Sequence, residues 1–231
     1  MTITVITGAN KGLGRETARR LIELGHTVYV SGRDAERTER AAADLGARPL
    51  LLDVTEEASV RAAAATVREQ AGRVDVLVNN AGVSVPRATA QDLTADVLRA
   101  VYEPNVFGPV RVTNAFLPLL AAASHPVVVN VSSGLGSLAI NEDPSLAPDY
   151  VPAPAYASSK AALNMLTIHY AKALPGIRFN AVDPGYTATD LNGHRGRQTV
   201  EEGARAIVAA ATAPPGTPTG TFTNTAGRVP W

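Results

Sequence analysis

Residues 3–14 read Ile-Thr-Val-Ile-Thr-Gly-Ala-Asn-Lys-Gly-Leu-Gly, and this stretch decides the fold class. The β-branched run Ile3–Ile6 predicts a buried strand. A glycine-rich turn follows, and the apolar spacing after it predicts a helix over about 13–24. A strand, a glycine-rich turn and a helix in this order suit the pyrophosphate of a dinucleotide, because glycine lets phosphate approach the backbone N–H groups at the helix amino terminus.

The glycines of this turn differ in spacing from the common dinucleotide-binding pattern. Three residues, rather than one, separate Gly8 from Gly12. An ordinary strand-to-helix turn is the alternative interpretation, since such turns are often glycine-rich. The place of the turn at the first strand–helix junction favours cofactor binding. The candidate contacts in this turn are Gly8, Asn10, Lys11, Gly12, Leu13 and Gly14.

The rest of the chain alternates short apolar runs with longer segments of helical period, which is typical of a parallel sheet covered on both faces. Right-handed crossovers favour an open doubly wound sheet with a ligand crevice at the carboxyl ends of its strands. We therefore expect one α/β domain of Rossmann type over residues 1–231, with helices on both faces. Further strands are predicted at Thr27–Val30, Pro49–Leu52, Val74–Val78, Val127–Val131 and Arg178–Val182, and further helices at about 34–45, 56–71, 95–122 and 155–173.

Two stretches interrupt the alternation and are predicted to be irregular loops. Residues 134–155 are rich in Pro, Asp and Asn. Residues 185–198 form the second stretch, which contains Gly193, His194 and Gly196. Long loops beside a crevice often close over a substrate, although solvent-exposed loops without such a role are the alternative. We expect these two loops to form the substrate pocket.

Composition excludes several functional classes. Twenty-one basic and 21 acidic residues cancel, and no Lys/Arg cluster suits a phosphate backbone, so no nucleic-acid partner is expected. Without cysteine there is no disulfide or thiolate metal site, and no metal site is predicted. No targeting segment or membrane-spanning apolar run is evident, which predicts a cytoplasmic protein without a membrane partner. The four histidines are scattered, at His26, His125, His169 and His194.

Several motifs, in the same order, resemble those of the short-chain dehydrogenase/reductase family over nearly the whole chain. Within that family, the Asn-Lys-Gly turn, the segment 105–108 and the closing residues 219–231 resemble the NADPH-dependent carbonyl reductases. The resemblance implies an oxidoreductase that transfers hydride between a nicotinamide cofactor and a carbonyl or alcohol. The motifs are Thr7-Gly8-x-x-x-Gly12-x-Gly14, Asn79-Asn80-Ala81-Gly82, Ser133, Tyr156-x-x-x-Lys160 and Pro184-Gly185.

Tyr156 and Lys160 stand four residues apart on a predicted helix and so share one face. An ammonium beside a phenol favours the phenolate, which lets the tyrosine exchange a proton near neutral pH. The resemblance implies that Tyr156 is the catalytic acid–base, that Lys160 lowers its pKa and binds the nicotinamide ribose, and that Ser133 polarises the substrate carbonyl. It also implies that Asn105 holds a water of the proton relay. Pro104, directly before it, is predicted to bend that helix.

The segment Ser31-Gly32-Arg33 favours NADP(H) over NAD(H). It lacks the carboxylate that binds a ribose 2′-hydroxyl in NAD enzymes, and Arg33 suits a 2′-phosphate. Lys11 supplies a second cation, although both could be solvated surface charges. The resemblance implies further cofactor contacts at Asp53, Val54, Asn80, Ala81, Gly82, Pro184, Gly185, Thr187 and Thr189, with Asp53 also interpretable as a helix cap.

The function that these residues favour is NADPH-dependent reduction of a ketone or aldehyde. A catalytically idle NADP(H)-binding regulatory protein is an alternative of another class. An alcohol dehydrogenase working in the oxidative direction and a reductase of 3-oxoacyl thioesters would use the same residues. The sequence specifies neither the small-molecule carbonyl substrate nor whether the chain is a monomer or a homo-oligomer.

Overall fold

The computed structural model describes residues 1–85, 90–143, 145 and 153–231, and its β-branched runs form one sheet. The strands are β1 (Thr2–Ile6), β2 (His26–Gly32), β3 (Arg48–Leu51), β4 (Val76–Asn79), β5 (Val127–Val131), β6 (Arg178–Val182), β7 (Thr221–Asn224) and β8 (Gly227–Arg228). Their order in the sheet is β3-β2-β1-β4-β5-β6-β7-β8. Only β8, paired with β7, is antiparallel to its neighbour. This order confirms the predicted Rossmann-type doubly wound sheet.

Helices cover both faces of the sheet, as predicted. They are α1 (Gly12–Glu23), α2 (Ala35–Leu45), α3 (Glu57–Ala71), α4 (Ala95–Tyr102), α5 (Gly108–Ala121), α6 (Leu138–Glu142), α7 (Pro154–Ala173) and α8 (Val200–Ala211). Val5 and Ile6, adjacent on β1, belong to two different apolar clusters because successive side chains of a strand face opposite sides. One cluster includes Phe116 of α5, and the other includes Leu21 of α1 and Ile207 of α8.

The helix predicted at about 95–122 is interrupted. Residues Glu103–Phe107 form a π-helix between α4 and α5, so the predicted helical segment is present but is not α-helical throughout. Pro104 has no N–H to donate and its ring crowds the preceding turn, which explains the wider winding here. The predicted disturbance at Pro104 is therefore present, as a π-helix that contains Asn105.

Several elements were not predicted. The helix α8 begins at a capping box in which Glu202 N donates to Thr199 Oγ1 and Thr199 N donates to Glu202. The strands β7 and β8 are too short to show a clear period. The stretch 134–155 was predicted to be irregular, but it contains a 3₁₀ turn at Gly134–Gly136 and the short helix α6. Residues 144 and 146–152 of that stretch lie outside the described residues.

Two further observations concern the described part of the chain. None of its helices combines the length and the apolar character that crossing a membrane requires. Nor do three or more side chains of His, Asp or Glu come together there as a metal site would require.

Candidate active site

The glycine-rich turn is tied to the end of β4. Thr7 Oγ1 accepts hydrogen bonds from the backbone N of Asn80 and of Ala81, both at 3.0 Å. In return, Asn80 Nδ2 donates to the carbonyls of Thr7 (2.8 Å) and Gly8 (3.1 Å). These bonds join β1 and β4 at the point where the strand order reverses, which is where open α/β sheets bind their ligands. The structure thus brings together the predicted residues Gly8, Asn80 and Ala81.

The turn has no room for a side chain at Gly14. A Cβ on Gly14 would lie 2.5 Å from Asn80 Nδ2 and 2.7 Å from Gly8 O. Gly8 and Gly12 have φ of 62° and 55°, in the region that favours glycine. Lys11, the N-cap of α1, makes no side-chain cap hydrogen bond. The N–H groups of the first turn of α1 therefore remain available to a phosphate.

Lys160 is buried at the centre of the crevice, with 4 % of its surface exposed. Its Nζ donates to Val131 O at 2.8 Å, at the end of β5. The same Nζ lies 5.5 Å from the centroid of the Tyr156 ring and 3.7 Å from where a Cβ on Gly82 would stand. Burial lowers the pKa of Lys160 to about 8. The structure therefore groups the predicted Tyr156, Lys160 and Gly82 around one amine.

Asn105, in the π-helix, is fully buried and joins the loop after β4 to α7. Its Oδ1 accepts from Val83 N (2.8 Å), and its Nδ2 donates to Val83 O (2.9 Å) and to Ser159 Oγ (3.0 Å). Ser159 Oγ in turn donates to Tyr156 O at 2.7 Å. A chain of hydrogen bonds thus fixes Asn105 relative to the helix turn that carries Tyr156. The role of Asn105 in holding a water stays a prediction.

Two adjacent serines end β5, and they face different surroundings. Ser132 is 2 % exposed, and its hydroxyl donates to Asn164 Oδ1 at 2.6 Å. Ser133 is partly exposed, and its Oγ accepts from Leu135 N at 3.2 Å. Because that bond uses Ser133 Oγ as an acceptor, its O–H proton can still be donated to a substrate carbonyl. Of the two hydroxyls, that of Ser133 is the one suited to this task.

The end of β2 has space for neither a carboxylate nor any other side chain at Gly32. A Cβ there would lie 2.7 Å from Thr38 Oγ1 and 3.4 Å from Asn10 Cγ. Arg33 follows as an exposed side chain, and no hydrogen bond or ion pair joins it to the rest of the described chain. Lys11, predicted to be a second cation for a 2′-phosphate, forms an exposed ion pair with Asp190 at 2.6 Å, and its contact with a phosphate stays a prediction.

Three arginines that the sequence analysis missed surround the same region. A depression of about 230 Å³ is lined by Lys11 together with Arg15 of α1 and Arg37 and Arg40 of α2. Each of these arginines is also paired with a carboxylate within 3.4 Å. The spacing of Arg33, Arg37 and Arg40 along the start of α2 was the signal that could have revealed this basic surface.

Asp53 and Val54, predicted to contact adenine, are engaged within the protein. Asp53 Oδ1 accepts from Thr55 N (2.9 Å) and from Thr55 Oγ1 (2.7 Å). These bonds agree with the alternative of a local capping role, although the N-cap of α3 is Glu56. Val54 is largely buried and packs on Gly108, since a Cβ added to Gly108 would lie only 3.0 Å from the Val54 side chain. Their contact with a cofactor stays a prediction.

The loop after β6 is held together by two amide side chains. Thr187 is buried, and its Oγ1 accepts from Gln198 Nε2 at 2.8 Å. Asn192 donates to Thr187 O (2.8 Å) and accepts from Thr189 N (3.3 Å). Gly185 has φ of 78°, and a Cβ there would lie 2.7 Å from the Gln198 amide. The hydroxyl of Thr187 is therefore engaged within the loop, and the contacts of Thr187 and Thr189 with a cofactor stay predictions.

Residues 2–200 match the family described as short chain dehydrogenase. This chain belongs to the short-chain dehydrogenase family. It is similar to short-chain dehydrogenase anuI of Penicillium roqueforti (38 % identity over 226 residues, 91 % of this chain and 88 % of the relative). It is also similar to (+)-neomenthol dehydrogenase of Arabidopsis thaliana (32 % identity, 94 % of each chain). NADPH-bound carbonyl reductase from chicken fatty liver has the same fold, with a TM-score of 0.89, 29 % identity and complete coverage of both chains.

In this short-chain dehydrogenase, an oxidoreductase by family, sequence reasoning missed residues that support the site from behind. Ser159 links Asn105 to α7, and Gln198 supports Thr187. Asp183, a carboxylate at the end of a buried strand directly before Pro184-Gly185, was visible in the sequence but was not singled out. A polar residue at the carboxyl end of a buried strand is the signal that could have found it.

Proposed function

We propose that this short-chain dehydrogenase reduces a ketone or aldehyde with NADPH. Tyr156 is the acid that protonates the product oxygen, and Ser133 donates to the substrate carbonyl. The observation that carries the proposal is the position of the Lys160 amine, between the Tyr156 ring, Gly82 and the carbonyl of Val131. A buried amine beside a tyrosine at the switch point of the sheet supports proton transfer at this place.

Each side chain has a distinct task in the proposed reaction. The Ser133 O–H polarises the carbonyl and stabilises the negative charge that develops on its oxygen. Bound NADPH would supply the hydride to the carbonyl carbon. Tyr156 gives its phenolic proton to the resulting alkoxide, and the Lys160 ammonium stabilises the tyrosinate that remains. A pKa of about 8 keeps Lys160 mainly protonated at neutral pH. Lys160 also binds the nicotinamide ribose, and Asn105 holds a water that returns the proton.

The residues present fit NADPH in preference to NADH. The glycine-rich turn has no space for a side chain at Gly14 and has positive φ at Gly8 and Gly12, which supports close approach of a pyrophosphate. A side chain at Gly32 would be obstructed, so this position does not suit the carboxylate that binds a ribose 2′-hydroxyl in NAD enzymes. Arg33, exposed and without a partner in the described part of the chain, supports binding of a 2′-phosphate.

Exposed apolar side chains on the loops after β4, β5 and β6 support an uncharged, largely apolar substrate. These loops leave adjacent strands at the crevice edge, and exposed apolar groups around a crevice are typical of ligand sites. Similarity to (+)-neomenthol dehydrogenase agrees with such a substrate. The residues are Val83, Leu138, Tyr186 and Leu191, which are 37 % to 73 % exposed.

The test is consumption of NADPH with a panel of uncharged ketones and aldehydes. We expect turnover by the wild type and a fall in kcat of roughly 10²- to 10⁴-fold in Tyr156→Phe, because the proton donor is removed. Tyr170→Phe is the matched control, since Tyr170 is also on α7 but its hydroxyl contacts Asn114. NADPH binding without turnover in the wild type, together with no effect of Tyr156→Phe, would support the regulatory alternative instead.

A further inference from the structure

A buried carboxylate that the proposed reaction does not use lies beside the active site. Asp183 directly follows β6 and is 6 % exposed. Its backbone N donates to Thr223 O at 2.9 Å, which continues the pairing of β6 with β7. No ion pair joins its carboxylate to a cation within the described ranges. An unpaired buried carboxylate is costly to maintain unless hydrogen bonds satisfy it.

Three donors satisfy the Asp183 carboxylate, and they come from three different segments. Gly185 N donates to Oδ1 at 3.0 Å, from the loop after β6. The backbone of Gly134, after β5, and the side chain of Asn224, at the end of β7, also donate to it. Burial raises the pKa of the Asp183 carboxyl, and the bonds from Gly185, Gly134 and Asn224 oppose that rise. The carboxylate therefore links the loop after β5, the loop after β6 and the end of β7, and these contacts are called the Asp183 junction below.

The bond to Gly134 acts on the neighbour of Ser133. The amide N–H of Gly134 belongs to the same planar peptide unit as the carbonyl of Ser133, so holding one restrains the backbone of the other. The backbone pairing of β5 with β6 ends just before this point. Its last hydrogen bond runs from Ser132 N to Val182 O, at 2.7 Å. Beyond that bond, Asp183 links the serine loop to the loop of Pro184 and Gly185.

We propose that Asp183 is a positioning residue, which fixes Ser133 relative to the loop that receives the nicotinamide. This rests on the proposed function, in which Ser133 donates to a carbonyl held over the cofactor. A displaced donor misses the developing oxyanion, and a misplacement of about 1 Å costs on the order of 10² in rate. The substitution Asp183→Asn keeps the shape but turns an NH₂ group towards backbone N–H donors, so the junction loosens.

A double-mutant cycle with Ser133→Ala separates positioning from general stability. We expect Asp183→Asn to lower kcat roughly 10- to 100-fold in the wild-type background, and to change it less than about 3-fold in Ser133→Ala, where no donor remains to be positioned. An equal loss in both backgrounds would overturn the proposal. Asp75→Asn is the control, since Asp75 also accepts a backbone N–H, from Ile3 at 2.7 Å, but lies at the opposite edge of the sheet.

A second variant and a hydrogen-exchange measurement test the same role of Asp183. If Asp183→Asn does not fold, Asn224→Ala removes one donor to the carboxylate with less disruption, and the same dependence on Ser133 is expected with a smaller loss. Amide hydrogen exchange of Gly134 and Gly185 in the cofactor-free protein reports the junction without any turnover. We expect both amides to exchange faster in Asp183→Asn, and unchanged exchange at Gly134 would overturn the proposal. A wild type that reduces no carbonyl would instead contradict the proposed function.

Discussion

Lys160 is a buried amine whose surroundings oppose its charge. Val131 O is its hydrogen-bond partner, and no ion pair joins it to a carboxylate in the part of the chain that the structure describes. Desolvation is the cause of its lowered pKa, which is about 8 against an ordinary 10.5. The charge that the proposed chemistry needs is therefore held at the expense of stability, as is common at active sites.

This lowered pKa predicts how stability depends on pH. Between about pH 8 and pH 10.5 the unfolded chain binds the Lys160 proton more tightly than the folded one, so stability rises with pH there. Urea unfolding of the cofactor-free wild type is expected to show a gain of about 1.5 kcal/mol from about pH 8 to pH 9.5, relative to Lys160→Met. Lys160→Met should also be the more stable protein at pH 7. Parallel pH profiles for the two proteins would contradict the burial of a charged amine.

In the proposed function, Arg33 recognises the 2′-phosphate and so sets the preference for NADPH over NADH. Removing one charge-assisted contact to a phosphate costs roughly 1.5–3 kcal/mol, so Arg33→Ala is expected to raise the KM for NADPH by roughly 10- to 100-fold. The KM for NADH should change little, because NADH has no 2′-phosphate. Steady-state kinetics with both cofactors measures this.

The control for Arg33→Ala is Arg61→Ala. Arg61 is an exposed arginine on α3, and α3 packs on the face of the sheet opposite to α2. Equal losses with the two cofactors in Arg33→Ala would show that Arg33 does not recognise the 2′-phosphate.

Among the elements, the glycine-rich turn and β4 are in contact at the place where the cofactor is proposed to bind. In Gly14→Ala, the added Cβ would lie within 3 Å of Asn80, Gly8 and Ala9. Such overpacking costs about 1–3 kcal/mol. We expect Tm to fall by roughly 2–10 °C and NADPH binding to weaken, because the turn must shift away from β4. Thermal unfolding and a fluorescence titration with NADPH measure both effects.

Gly176→Ala is the matched control for this substitution. Its Cβ meets no atom within 4 Å, and Gly176 does not have a positive φ. It should keep the wild-type Tm and NADPH affinity. If Gly14→Ala behaved in the same way, the close packing of the turn on β4 would be contradicted.

The elements differ in how far the sequence predicts them. The first six strands and the glycine-rich turn were predictable, because short apolar runs that alternate with segments of helical period are typical of strands and helices in turn. The π-helix was only partly predictable, since Pro104 signals a disturbance without fixing its form. The strand β7 was missed because its four residues, Thr221–Asn224, are mostly polar, so no apolar period marks them.

In the candidate site, the sequence motifs identified individual residues but not the residues that contact them. Lys11 pairs with Asp190, which is 179 positions away, so no local pattern could reveal this pair. The same holds for Asn105 and Ser159, separated by 54 positions. Such contacts depend on which strand ends the fold brings together.

At the scale of the whole molecule, the fold brings the ends of β1, β4, β5 and β6 together at one edge. The glycine-rich turn leaves β1, the Asn80–Gly82 segment leaves β4, Ser133 follows β5, and Pro184-Gly185 follows β6. The helix α7 then places Tyr156 and Lys160 against these strand ends. Because the strands are fixed in a buried sheet, groups far apart in sequence are held close together at this edge.

In the proposed function, hydride passes from NADPH to a carbonyl carbon in this crevice. The decisive measurement is mass spectrometry of the alcohol formed with NADPH that is deuterated at both C4 positions. We predict that wild-type protein transfers deuterium from C4 to the former carbonyl carbon, and that Tyr156→Phe forms almost no labelled alcohol while still binding the cofactor. Consumption of NADPH without deuterium in the alcohol, or equal labelled product from wild type and Tyr156→Phe, would contradict the proposed function.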